Sequence, residues 1–115
     1  MSLTGGVMNL LPGGQRVLMY VFHICLKGLE TGLLARDNED YDVFVKMICI
    51  CAHRLGLDVV TYCVVSNHVH VCLLAPDLET AGLYGERLKM MYSRYFRNKY
   101  GKEGILIRTG ISEMP

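Results

Sequence analysis

Leu57-Asp58-Val59-Val60-Thr61-Tyr62-Cys63-Val64-Val65 and His68-Val69-His70-Val71-Cys72-Leu73-Leu74 are separated only by Ser66-Asn67, and read as two β-rich runs joined by a tight turn. Successive side chains of a strand point to opposite faces, so His68 and His70 share one face. Val69 and Val71 take the other, toward a core. With a two-residue turn, Cys63 falls across from His70. Two neutral imidazoles side by side are a natural ligand pair for one divalent metal. The same pair also fits two half-buried histidines, each bonded to a backbone carbonyl. Cys63 opposite His70 adds a third option, a Cys/His zinc site, although no fourth ligand is evident.

Working outward, Gln15 to Leu26 is rich in β-branched and aromatic residues and ends at Lys27-Gly28, which reads as a first strand. Asp37-Asn38-Glu39-Asp40 offers capping side chains for a helix whose apolar face runs through Val43, Phe44, Met47, Ile48, Cys51 and Leu55, with Gly56 as its stop. After the hairpin, Pro76-Asp77 breaks the strand. A second helix is expected from about Thr80 to Tyr100, striped by Tyr84, Leu88, Met91, Tyr92 and Tyr95, with Gly82 and Gly85 blurring its start. Gly104 to Arg108 reads as a last edge strand. The β-α-β-β-α-β order predicts a ferredoxin-like α+β fold, an antiparallel sheet with helices packed on it.

At 115 residues and 51% hydrophobic, the chain fits a single domain with one sizeable core. Residues 1–15 read as a flexible arm or a cloning remnant attached to it. No apolar run approaches the ~20 residues of a membrane span, and no leader pattern opens the sequence, so a cytoplasmic protein is expected. Five cysteines, Cys25, Cys49, Cys51, Cys63 and Cys72, form no Cys-x-x-Cys pair and read as reduced core thiols.

The net charge of +1 is unevenly spread. Between residues 81 and 108, Arg87, Lys89, Arg94, Arg97, Lys99, Lys102 and Arg108 face only Glu86 and Glu103. Such a block can neutralise phosphates, and the interleaved Tyr92, Tyr95 and Tyr100 can stack unpaired bases. A solvated helix face is the simpler reading of the same residues.

Four blocks, taken together and in order, carry a resemblance. Phe22-His23-Ile24 with Lys27-Gly28, Asp40-Tyr41 with Phe44, Tyr62 to His70, and Tyr92-Ser93-Arg94-Tyr95-Phe96 with Tyr100-Gly101 and Gly104 resemble the single-tyrosine HUH transposases, namely the REP-associated tyrosine transposases and their insertion-sequence relatives. In that family a His-hydrophobic-His motif binds the metal. The resemblance implies that His68 and His70 hold Mg²⁺ or Mn²⁺, and that Tyr92 attacks a single-stranded or hairpin DNA to leave a 5′-phosphotyrosine and a free 3′-hydroxyl. It also implies a partnership as a possible homodimer that shares sites between subunits. Ser66 replaces the usual proline, Lys27 an arginine, Arg97 an asparagine, and Phe96 a glutamine that ligates in some relatives.

From the residues alone Tyr92 sits on its helix's apolar stripe and reads as a core side chain; the resemblance makes it the nucleophile, laid against the sheet face bearing His68 and His70, with Tyr95 in reserve. Lys27, Arg87, Lys89, Arg94, Arg97 and Lys99 are the expected DNA contacts. His23 reads as a strand residue, His53 as solvated, and Asn67 as ordering the turn. A DNA-binding descendant of such enzymes that no longer cuts is the alternative function.

Overall fold

The first helix starts and stops where its capping residues dictate. In the computed structural model, which describes residues 7–10, 14, 16–28, 33–101 and 107–113, helix α1 spans Asn38–Leu55. The Asp37 carboxylate accepts the Asp40 N–H at 2.9 Å, satisfying one of the free donors of the first turn. Gly56, at φ 67°, adopts the left-handed conformation that closes the helix and donates its N–H back to Ala52 and His53. Helix α2 spans Leu78–Tyr100 and is capped likewise by Asp77, which accepts from the Thr80 N–H at 2.7 Å.

The strands are β1 (Val7–Leu10), β2 (Arg16–Gly28), β3 (Asp58–Val64), β4 (His68–Ala75) and β5 (Ile107–Glu113). Strands β5, β2, β4 and β3 lie side by side in that order, every pairing antiparallel. From β2 to β5 the chain follows the expected β-α-β-β-α-β course. The β3–β4 hairpin has its two-residue turn, and Cys63 pairs with His70 across it. Backbone bonds fix that turn: Ser66 O accepts from the N–H groups of Leu34 and Ala35, and Asn67 O from that of Gly28.

Two differences from the sequence reading stand out. Val7–Leu10, within the segment read as an arm, forms a strand against Arg16–Met19. The last strand extends to Glu113; the stretch 104–106 placed in it lies outside the described residues.

Alternation along β4 decides where the core sits. Val69, Val71 and Leu73 are fully buried, with Phe22, Ile24 and Leu26 of β2 beside them, beneath Phe44 and Ile48 of α1 and Leu88 and Tyr92 of α2. Both helices therefore cover the valine face, and among the described residues neither helix packs on the histidine face, where His23, His68 and His70 are half-buried. Of the five cysteines, all free, only Cys51 is a buried core thiol; Cys49 and Cys63 are exposed.

At Gly85 helix α2 lies close against the sheet. A Cβ there would meet Thr109 Cγ2 of β5 at 3.0 Å and Ile24 Cγ2 at 3.5 Å, whereas one at Gly82 would lie an unstrained 3.6 Å from Ile111 Cδ1. Gly85→Leu is expected to lower stability in urea titration by about 1–3 kcal/mol through overpacking, outweighing the roughly 1 kcal/mol gained in helix propensity. Gly82→Ala should be neutral or stabilising. A Gly85→Leu chain as stable as wild type would refute this account of the helix–sheet contact.

Candidate functional site

The helix-free face of the sheet gathers three imidazoles in a row. His68 and His70 project from β4 two residues apart, with ring centroids 4.8 Å apart and nearly perpendicular planes. His23 of β2 stacks on His70 from the other side, centroids 4.8 Å apart, and its Nε2 lies 2.7 Å from His70 Nδ1. The register explains this: Cys25 pairs directly with His70, so His23, two residues along, meets it on the diagonal.

Each β4 histidine thus has its Nδ1 engaged. His68 Nδ1 lies 2.7 Å from Asn67 Oδ1, an acceptor, so this nitrogen carries the proton and Nε2 keeps its lone pair. His70 Nδ1 is engaged by His23 Nε2, and with His70 as the donor of that bond its own Nε2 keeps the lone pair. A ring nitrogen fixed by a hydrogen bond while the other is left to ligate is the usual state of a metal-binding histidine. Burial lowers the His70 pKa, with His23 and His68 adding to the effect, which favours the neutral, ligating form. Mg²⁺ and Mn²⁺ are both hard ions that prefer oxygen, so two imidazoles alone would hold either one weakly, with oxygens of water or phosphate completing its shell. Lys27, exposed and paired with His68 across β2 and β4, sets a positive charge beside the pair.

Tyr92 is elsewhere. Its side chain is fully buried on the valine side of the sheet, stacked on Phe44 at 4.0 Å between centroids, and its hydroxyl donates to the Leu34 carbonyl. The expectation that α2 lays this phenol against the histidine face is corrected: the apolar stripe holding Tyr92 packs where the apolar face of the sheet is. Burial raises its pKa, with the Asp40 charge, Tyr95 and Tyr100 adding to the effect and Lys99 opposing it. The reserve candidate Tyr95 donates to Asp40 at 2.6 Å.

The expected DNA contacts divide as well. Lys99 is engaged: its Nζ lies 2.6 Å from Asp37, 2.7 Å from Glu39 and 2.9 Å from Asp40. Those acids form the cluster of three ligating side chains found among the described residues, and an ammonium occupies its centre. Lys89 pairs with Glu86 at 3.1 Å. Arg97 is exposed in the last turn of α2, while Arg87 and Arg94 line a groove between the helices. Phe96 is a core residue. The sequence reading makes His23 a plain strand residue and passes over Arg54, which joins that groove. Only the parity of β2, placing His23 on a face with Cys25 and Lys27, hinted at the first.

No family model matches the chain, and no curated protein sequence matches it significantly. Among solved structures, a "putative transposase" from Deinococcus radiodurans R1 superposes with a TM-score of 0.63 at 16% identity, over 82% of this chain and 79% of that one. The chain shares the fold of that structure. A de novo designed protein, Foldit4, also aligns, with a TM-score of 0.44 at 16% identity over 84% of this chain and 99% of its own. Among the described residues no helix is long and apolar enough to cross a membrane.

Proposed function

We propose that the chain is a transposase-type DNA-binding domain that engages a DNA phosphate through a divalent metal held by His68 and His70. The observation carrying this reading is the paired orientation of the two imidazoles, each with Nδ1 engaged and Nε2 free, on the helix-free sheet face of a transposase-like fold. The metal would supply charge that polarises and orients the phosphate. The protein's own part is rigidity and electrostatics. Val69 and Val71, locked in the core on either side of His70, fix the strand that carries both ligands. Asn67 and His23 fix the rings, and Lys27 offers a second positive charge to the phosphate oxygens.

Strand cleavage through Tyr92 is not part of this reading, because the phenol lies on the other side of the sheet, buried and bonded. The alternative of a DNA-binding relative that does not form the tyrosine adduct is favoured by that one fact.

Mn²⁺ titration with and without a hairpin-bearing single strand tests the proposal. Wild type should bind Mn²⁺ weakly and more tightly when DNA is present, and His68→Ala and His70→Ala should each abolish both responses while keeping the fold. A double variant that still binds Mn²⁺ and DNA as wild type does would overturn the metal assignment.

A further inference from the structure

Three guanidinium groups surround a groove that the histidine site does not use. Between α1 and α2 lies a cavity of about 390 Å³ lined by Arg54 and Leu55 from the end of α1 and by Arg87, Met90, Met91 and Arg94 from the middle of α2. It falls within the range of small-ligand pockets, roughly 300–1,000 Å³. None of the three arginines forms an ion pair with a described carboxylate, in contrast to the paired Lys89 and Lys99 close by. Arg87 and Arg54 also sit near enough to the Cys51 thiol to oppose the upward pull of its burial on the pKa. The floor is apolar, and Met90 is 59% exposed upon it.

We propose that this groove binds a segment of single-stranded DNA, its phosphates on Arg54, Arg87 and Arg94 and a base or sugar against Met90, Met91 and Leu55. The choice of polymer rests on the transposase-type reading above; the charge and shape of the groove do not. Unpaired arginines in numbers call for a polyanion, since each presents a planar fork of donors that suits phosphate oxygens. Arg87 and Arg94 are seven residues apart, about 10 Å along the helix axis at 1.5 Å per residue. That spread favours a run of phosphates over a single one. Methionine and leucine offer a deformable apolar surface that accepts a base without reading its edges. The groove lies on the helix layer and the histidines on the opposite face of the sheet, so binding here is independent of metal.

The test uses the whole chain in EDTA, with a short fluorescent oligothymidylate titrated from low to moderate salt. Each neutralised phosphate contributes about 0.7 to the slope of log affinity against log salt for a single strand. The Arg54→Ala, Arg87→Ala, Arg94→Ala triple variant should therefore lose about 2 from that slope and bind far more weakly at low salt. Met90→Glu, an exposed change that puts a carboxylate on the floor, should weaken the strand without removing a cation. Lys89→Ala, which removes a cation already paired with Glu86, should change little. An unchanged slope in the triple variant overturns the groove, and thymidine monophosphate binding as tightly as the strand overturns the strand assignment. Failure of the Mn²⁺ experiment with arginine-dependent binding intact would refute only the metal reading.

Discussion

Asp40→Ala should cost about 3 kcal/mol of stability, because charge-assisted hydrogen bonds inside a protein are each worth more than neutral ones and their partners are left unsatisfied when one side is removed. The side chain is fully buried and accepts from the Arg36 N–H at 2.9 Å, the Tyr95 hydroxyl at 2.6 Å, Lys99 Nζ at 2.9 Å and the Tyr100 hydroxyl. Through it the segment leading into α1 is tied to the last two turns of α2. Arg36 completes the joint, its guanidinium 5.1 Å from the Phe96 ring centre and 4.6 Å from that of Tyr100.

A pH signature accompanies the loss. Burial opposes ionisation of Asp40, but the bonds from Tyr100, Tyr95, the Arg36 N–H and Lys99 outweigh it and hold the carboxyl well below the usual carboxylate range. With the folded pKa depressed, the stabilisation is complete above the unfolded value of about 3.9 and fades as pH falls below it. Denaturant titrations between neutral pH and about pH 3 should show wild type losing stability over the acid end. Asp40→Ala should start lower and lose less there. Parallel curves for the two proteins would mean the carboxylate is not held as described.

Much of this was legible in the sequence, because the deciding signals were local. Asp37 and Gly56 act at the helix ends where capping chemistry places them, and the hairpin register follows from a two-residue turn at Ser66-Asn67, whereas Asp77, read only as a strand breaker, caps an α2 that begins at Leu78 and not near Thr80. The position of Tyr92 was also contained there, in two patterns that had to be combined. Alternation puts Val69 and Val71 toward the core, and the stripe through Leu88 and Tyr92 is the apolar side of α2; two apolar faces meet, so the tyrosine joins the valines and not the histidines. The motif resemblance pointed the other way, and the hydrophobic effect decided. What no local pattern carried was partnership over distance. His23 meets His70 across 47 positions because β2 and β4 are neighbours in one particular register. Lys99 reads as one cation of a basic helix until the fold brings the N-terminal acids of α1 around it.

Tyr92 itself gives the sharpest separation between the structural and the catalytic accounts. Tyr92→Ala should cost about 3–5 kcal/mol, the usual range for deleting a buried aromatic side chain. The hole would open beside Phe44 at one flank and Phe96 at the other, ring centroids now 4.0 and 6.3 Å away. Tyr92→Phe keeps the ring but strips the Leu34 carbonyl of its partner, a loss of about 1–3 kcal/mol for a buried acceptor left unsatisfied. A surface-facing nucleophile would show neither cost. The chemistry points the same way: attack on a phosphodiester requires the phenol to give up its proton, and burial together with the nearby Asp40 charge makes that harder than in water. Incubation with Mn²⁺ and a library of labelled single strands, followed by denaturing electrophoresis, should therefore yield no DNA linked to Tyr92, and Tyr92→Phe should bind DNA as wild type does. An adduct that peptide mapping places on Tyr92, and that disappears in a folded Tyr92→Phe chain, would require the phenol to leave the Leu34 carbonyl and the core for solvent, and would reinstate it as the nucleophile.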